Sequence, residues 1–187
     1  MPTQKDIAVL VGSLRRESFS RKTARALQAL APASLKLEIV EIGELAMYNE
    51  DVEKSGAPAS WTAFRQRIKA ADGLLFVTPE YNRSVPGVLK NAIDVGSRPY
   101  AQGAWNGKPG AVVSVSPGAL GAFGANHHLR QSLVFVDVLT MQQPEAYISA
   151  AATLFDASGA LTSQTAREFL AKFVEAFARW VEQHGRR

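Results

Sequence analysis

The feature that most constrains the fold is a hydrophobic period that keeps switching. Residues 7–11, 73–77 and 110–115 are short, nearly continuous apolar runs, the pattern of strands covered on both faces. Between them the apolar residues recur at helical spacing. Thr23, Ala24, Leu27 and Leu30 share one side of a segment over 19–31. Trp61, Phe64, Ile68 and Ala71 do the same after Ser60, which is read as the helix cap. Ser84 and Pro86 open a third helix running to Gly96, and a fourth is expected over 126–138. The last begins near a capping box, Thr165-Ala-Arg-Glu168, and carries Phe169, Leu170, Phe173, Val174, Phe177, Trp180 and Val181 on one stripe. Residues 35–42 alternate apolar and polar like an edge strand, 43–59 read as irregular, and 141–150 read as one extended strand.

The order is therefore β-α five times over. Such alternation implies an α/β fold, a parallel sheet with helices on both faces, and right-handed crossovers restrict it to a doubly wound sheet. Five strands in 187 residues fit the flavodoxin-like order 2-1-3-4-5, in a single domain over 1–187. In such sheets ligands bind outside the carboxyl ends of the strands, where the strand order reverses. That rule singles out three loops.

The loop after the first strand, Gly12-Ser-Leu-Arg-Arg-Glu-Ser-Phe-Ser20, offers a glycine, three hydroxyls and a guanidinium just before a helix N-terminus. Free amides and the positive end of the helix dipole suit a phosphate. An ordinary helix cap with solvated arginines has the same composition, so both readings stand. The loop is neither the dinucleotide fingerprint nor the P-loop. The second loop, Pro79-Glu-Tyr-Asn-Arg-Ser-Val-Pro86, sets an aromatic and an amide between two prolines. A planar heterocycle fits it, and so does a turn in which Tyr81 merely roofs the core. The third loop, 116–124, carries glycines at 118, 121 and 124, which let a flat ligand approach the backbone; a plain surface loop is the alternative.

Composition narrows the chemistry. The chain has no cysteine, which excludes disulfides, thiolate-held metal clusters and a thiol nucleophile. His127 and His128 are adjacent on a helix and point to different faces, and His184 stands far along the chain, so no metal site is expected. Lys and Arg number 21 against 17 Asp and Glu, a net +4. The excess is scattered rather than gathered into a stripe, which argues against nucleic acid. Neither a signal-peptide layout nor a membrane-length apolar run is visible, so the expected location is cytoplasmic with no membrane partner.

Gly12-Ser-Leu-Arg-Arg-Glu-Ser-Phe-Ser20 together with Pro79-Glu-Tyr-Asn-Arg-Ser-Val-Pro-Gly-Val-Leu-Lys-Asn-Ala-Ile-Asp94 resembles the NADPH-dependent FMN reductase family. Within it the chain is most similar to bacterial quinone and chromate reductases, which are also akin to small azoreductases. The resemblance reaches to about Ala150. It implies non-covalently bound FMN, NADPH or NADH as electron donor, a small-molecule electron acceptor, and a homodimer or homotetramer. Carried over by position, Ser13, Leu14, Arg15, Ser18, Phe19 and Ser20 would hold the FMN phosphate end. Pro79, Glu80, Tyr81, Asn82 and Arg83 would line the ring, with Glu80 through its backbone more than its carboxylate, and Ser116 would touch it from the third loop. The flavin carries the redox chemistry, so no side chain is assigned as acid or base. Ser20 stands where the family usually has Asn, and Val95 where relatives often have an aromatic. Two other readings remain at this point: a reductase that hands free reduced FMN to a partner, and a flavodoxin-type electron carrier.

Overall fold

A computed structural model describes residues 4–185. β1 (Lys5–Val11), β3 (Gly73–Thr78) and β4 (Pro109–Val115) form the middle of the sheet, and their central residues are fully buried. Side chains alternate across the sheet. Ile7, Val9, Val11, Leu75 and Val77 therefore face one layer, while Ala8, Leu10, Leu74 and Phe76 face the other. The first layer holds α1 (Phe19–Leu30) and α6 (Gln164–His184), through Leu27, Phe173, Val174 and Phe177. The second holds α3 (Ala59–Ala70), α4 (Gly87–Gly96) and α5 (Phe123–Phe135), through Trp61, Ile68, Leu89, Ile93 and Leu129. Continuous apolar strands thus follow from burial on both sides. β2 (Leu35–Val40) buries Leu35 and Leu37 and exposes Lys36 and Glu38, as an edge strand should.

The strand order is β2-β1-β3-β4-β5, all parallel. The single extended strand expected over 141–150 is corrected to two short ones. β5 (Leu139–Thr140) pairs with Pro109 and Gly110, and β6 (Ala146–Ile148) pairs with 113–115, both against β4. Pro144, which has no N–H to donate, lies in the gap between them. The sheet has six strands rather than five.

Several boundaries also differ from the sequence reading, and α5 itself begins at Phe123 and ends at Phe135, ahead of the expected 126–138. A helix, α2 (Glu50–Gly56), occupies part of the stretch read as irregular. It buries no residue, so no apolar stripe announces it. It rests instead on polar groups: Asn49 Oδ1 accepts from Asp51 N, three acidic residues occupy its first turn, and Glu53 takes a bidentate ion pair from Arg65 at 2.5 and 2.9 Å. Ser60 is not a cap, because α3 starts at Ala59 behind Pro58, whose rigid φ does the work of starting the helix. The capping oxygen of α6 is Ser163, accepting from Ala166 N, rather than Thr165.

Gly96, at the end of α4, illustrates how closely the second layer is packed. The fully buried indole of Trp105 donates to Ile93 O at 2.9 Å and lies over Gly96, where a Cβ would fall on the ring. Close-packed cores tolerate such additions poorly. Gly96→Ala is therefore expected to lower the unfolding free energy by about 2 kcal/mol, read from urea melts followed by tryptophan fluorescence.

Candidate functional site

The strand order reverses between β1 and β3, so the loops that follow these strands leave in opposite directions and open a gap between them. Gly12 holds the first loop in that gap. Its amide donates to Val77 O at 2.9 Å, and a Cβ there would meet Pro79, Leu89 and Thr78 at 3.1–3.2 Å. A glycine is needed for that approach. Ser18 caps α1 by accepting from Arg21 N at 3.1 Å, and Ser13, Ser18 and Ser20 are all buried. The hydroxyls of Ser13 and Ser20 take no protein partner among the described residues, and the first turn of α1 has no acidic residue. Arg15 and Leu14 are exposed, Phe19 is half-buried, and Leu14 packs against Gly43 in the loop after β2. Unspent donors, a helix N-terminus and a guanidinium make this end of the gap ready for an anion.

The second loop is a closed two-residue turn. Tyr81 and Ser84 exchange both backbone hydrogen bonds, at 3.1 and 3.0 Å, while Asn82 and Arg83 have φ of 51° and 66°. These are the left-handed values of a type I′ turn, costing of order 1 kcal/mol for residues other than glycine. Thr78 Oγ1 donates to Pro79 O at 2.8 Å and stiffens the entry. Tyr81, Asn82 and Arg83 stand exposed. The Glu80 carboxylate, only 14% exposed, accepts from Ala125 N at 3.0 Å and lies 3.5 Å from Arg83. Its side chain is thus engaged by the protein, which leaves its backbone as the part free to face a ligand. Ser84 Oγ shares a 2.8 Å hydrogen bond with His128 Nδ1.

A cleft of about 400 Å³ lies between these loops, lined by Gly12, Leu14, Arg15, Tyr81, Pro86, Gly87 and Val88. Leu14, Arg15 and Tyr81 are the sequence candidates on its wall. Pro86, Gly87 and Val88 were not among them; the signal was the Pro-Gly start of α4, which leaves a helix N-terminus bare of side chains at the cleft edge. Ser116 stands apart from this lining, its hydroxyl accepting from Gly118 N at 3.0 Å. The third loop is held by Ser114, whose hydroxyl donates to Gly121 O at 2.7 Å, and by buried Asn126. A larger hollow of about 550 Å³ lies between α4 and α5, beside Lys90, Asp94, Arg98 and Phe135. Ser84, Ser97 and Ser132 also line it, but Gly12 and Arg15 of the loop before α1 and Tyr81 of the second loop border the smaller cleft, at the switch point where such sheets bind ligands, so the smaller cleft is the candidate site.

Asn91 is a further residue the sequence reading passed over. Buried in α4, it accepts from Tyr48 N at 2.8 Å and donates to Leu45 O and Ala46 O at 3.0 and 3.1 Å. It thereby clamps the loop after β2 beside Leu14. His127 and His128 bond to Tyr147 and Ser84 respectively, and His184 stacks on Trp180. No group of three or more His, Cys, Asp or Glu suited to a metal occurs among the described residues, and none of their helices is long and apolar enough to cross a membrane.

A model of the NADPH-dependent FMN reductase family matches residues 6–153. The chain belongs to this family. It is 66% identical to a quinone reductase of Pseudomonas putida over 176 residues, 94% of each chain. It is 49% identical to a 2-hydroxy-1,4-benzoquinone reductase of a Burkholderia species, over 94% of this chain and 95% of that one. Among solved structures, the flavoenzyme NAD(P)H:(acceptor) oxidoreductase FerB from Paracoccus denitrificans superposes with a TM-score of 0.91 at 44% identity, over 97% of this chain and 100% of that one. The strand order is the flavodoxin-like one the sequence implied.

The residues of this FMN reductase fit the family's cofactor. The unpartnered hydroxyls of Ser13 and Ser20 and the start of α1, whose first turn has no acidic residue, match a phosphate, and the exposed Tyr81 turn offers a rigid wall for a flat ring. At the far edge, Phe123, His127 and Tyr147 cluster where the third loop meets β6. Partial burial, followed by the neighbouring Glu145 carboxylate, pushes the Tyr147 phenol from 10.0 up to about 12. Because the folded value lies above the unfolded one, the stabilisation is complete below pH 10 and is lost as pH rises through about 12. Urea midpoints of the wild type are therefore expected to fall across that window more steeply than those of Tyr147→Phe.

Proposed function

We propose that the cleft between the first and second loops holds FMN without a covalent bond, and that the protein is an NAD(P)H-dependent oxidoreductase reducing quinones or similar small acceptors, with chromate and azo compounds in range. The observation that carries this reading is the anion-ready start of α1 facing a rigid aromatic turn, in a chain that is 66% identical to a quinone reductase. When bound, FMN supplies a ring that takes hydride from reduced nicotinamide and passes electrons to the second substrate.

The protein's own contribution is placement. Ser13, Ser18 and Ser20 with the first amides of α1 grip the phosphate, and Arg15 closes over it. Phe19 packs under that end. Pro79, Glu80, Tyr81, Asn82 and Arg83 form the wall against which the ring lies, with Leu14 opposite and Ser116 at the β4 end. Exposed Arg16 and Arg83 stand ready for the extra phosphate of NADPH. Side chains here bind and orient, and none needs to move a proton. Loops held this rigidly lower the cost of alignment. The two other readings are less favoured, because the relatives are named as reductases acting on quinones.

Anaerobic addition of NADPH, then of NADH, to protein loaded with FMN is the test. Bleaching of the flavin band followed by re-oxidation with a quinone, in ping-pong kinetics with retained flavin, is expected. Protein that cannot be loaded, or that turns over only with added free FMN, contradicts it. Arg15→Ala should weaken FMN binding about tenfold, ~1.4 kcal/mol, without changing the thermal melt.

We further infer a homodimer or homotetramer, working in the cytoplasm. Phe135 is 88% exposed and Val134 75% exposed at the end of α5, beside the hollow between α4 and α5. An exposed apolar pair, with Phe135 beside a groove, suits a self-complementary contact. Sedimentation velocity should give a multiple of the chain mass for the wild type and a monomer for Phe135→Asp.

A further inference from the structure

We propose that Glu80 is a positioning residue: its carboxylate ties the turn that walls the cleft to the N-terminus of α5, and so sets the spacing between the second and third loops. The proposal rests on reading the cleft as the flavin site.

The tie arises from a deficit in α5. Its cap residue is Ala122, held at φ 61° and without a side chain able to accept from the first turn, and that turn carries no acidic residue. Orphan amides at a helix start need an acceptor from elsewhere. Glu80 Oε2 supplies it, accepting from Ala125 N at 3.0 Å from a position 45 residues earlier in the chain. A carboxylate at the positive end of the helix dipole is favourable by charge as well as by hydrogen bonding. One turn further on, Ser84 and His128 share the second contact, at 2.8 Å.

Gly124 lets the two elements meet. A Cβ at this position would sit 2.9 Å from Glu80 Oε2 and 3.0 Å from Arg83 O. The turn therefore lies directly on the backbone of α5, with no side chain between them. This contact continues into the third loop, since α5 begins where the glycine-rich segment ends. Moving the Glu80 carboxylate off Ala125 thus frees Tyr81, Asn82 and Arg83 from the start of α5. The Asn82 and Arg83 φ values, both positive, make the freed turn readier to open.

The experiment uses the full chain, stripped of FMN and titrated with FMN by flavin fluorescence quenching and visible circular dichroism. Glu80→Ala is expected to raise the FMN dissociation constant about tenfold and to flatten the dichroism of the bound flavin, because a loosened wall must be re-ordered on binding. Glu80→Gln keeps an acceptor oxygen for Ala125 N–H and should stay within about threefold of wild type. Gly124→Ala should reproduce the loss through the added methyl. Its apoprotein should melt no lower than that of Glu80→Ala, because the helix preference of alanine over glycine offsets part of the lost cap. It also carries the test if Glu80→Ala does not fold.

Wild-type affinity and dichroism in Glu80→Ala, or in Gly124→Ala, overturns the proposal. So does a Glu80→Gln variant as weak as Glu80→Ala, which would make charge rather than the cap decisive. If the wild type takes up no FMN, the flavin reading fails by itself. The tie is then read in the apoprotein from hydrogen exchange of the Ala125 amide, protected in wild type and Glu80→Gln and unprotected in Glu80→Ala. Equal protection in all three overturns it.

Discussion

Everything at the candidate site depends on the contact between the ends of β1 and β3. The two strands are neighbours in the sheet but are separated by 61 residues, counting from Val11 to Asp72, and their outgoing loops run in opposite directions. Gly12 bonds to Val77 and lies against Thr78 and Pro79 without a side chain. This closeness puts an anion-ready helix start beside a rigid turn. A larger residue at position 12 would separate the two walls before any ligand arrived.

The second dependence is on polar clamps buried under the loops. Asn91 satisfies Tyr48 N and two carbonyls at once, and Asn126 and Ser114 do the same for the third loop. Buried amides fully matched in this way cost far more to disturb than exposed ion pairs, because each broken bond leaves an unpaired group in the interior. Loops that carry binding residues are usually the mobile part of a fold. Here the clamps hold them close to the rigidity of the sheet, which suits a protein whose task is to keep two flat molecules aligned.

The legible part of the sequence is the part governed by burial. Ile7 to Val11, Leu74 to Val77 and the stripe from Leu170 to Val181 announce themselves because both faces of the sheet exclude water. The first and second loops were legible too, because hydroxyls, prolines and an aromatic cluster at two strand ends. What escaped notice rests on polar or long-range partners. α2 buries nothing and depends on Arg65. The start of α5 is hidden because its capping oxygen belongs to Glu80. β5 and β6 are two and three residues long, below the length at which alternation can be read.

At the proposed site Glu80 offers its backbone to the cleft, while its carboxylate is committed to the start of α5. A chain without cysteine has no thiol of its own for electron transfer, so as an FMN reductase its selectivity lies in how the bound ring is held and approached. In the proposed reading rates then respond chiefly to the separation of the walls. An alignment error of about 1 Å is enough to cost a hundredfold in rate. The net positive charge fits the proposed reading, since exposed arginines near the cleft, Arg15 on its wall among them, would attract anionic phosphates. In that reading attraction would bring the substrates in, and the tied loops would decide whether they meet in line.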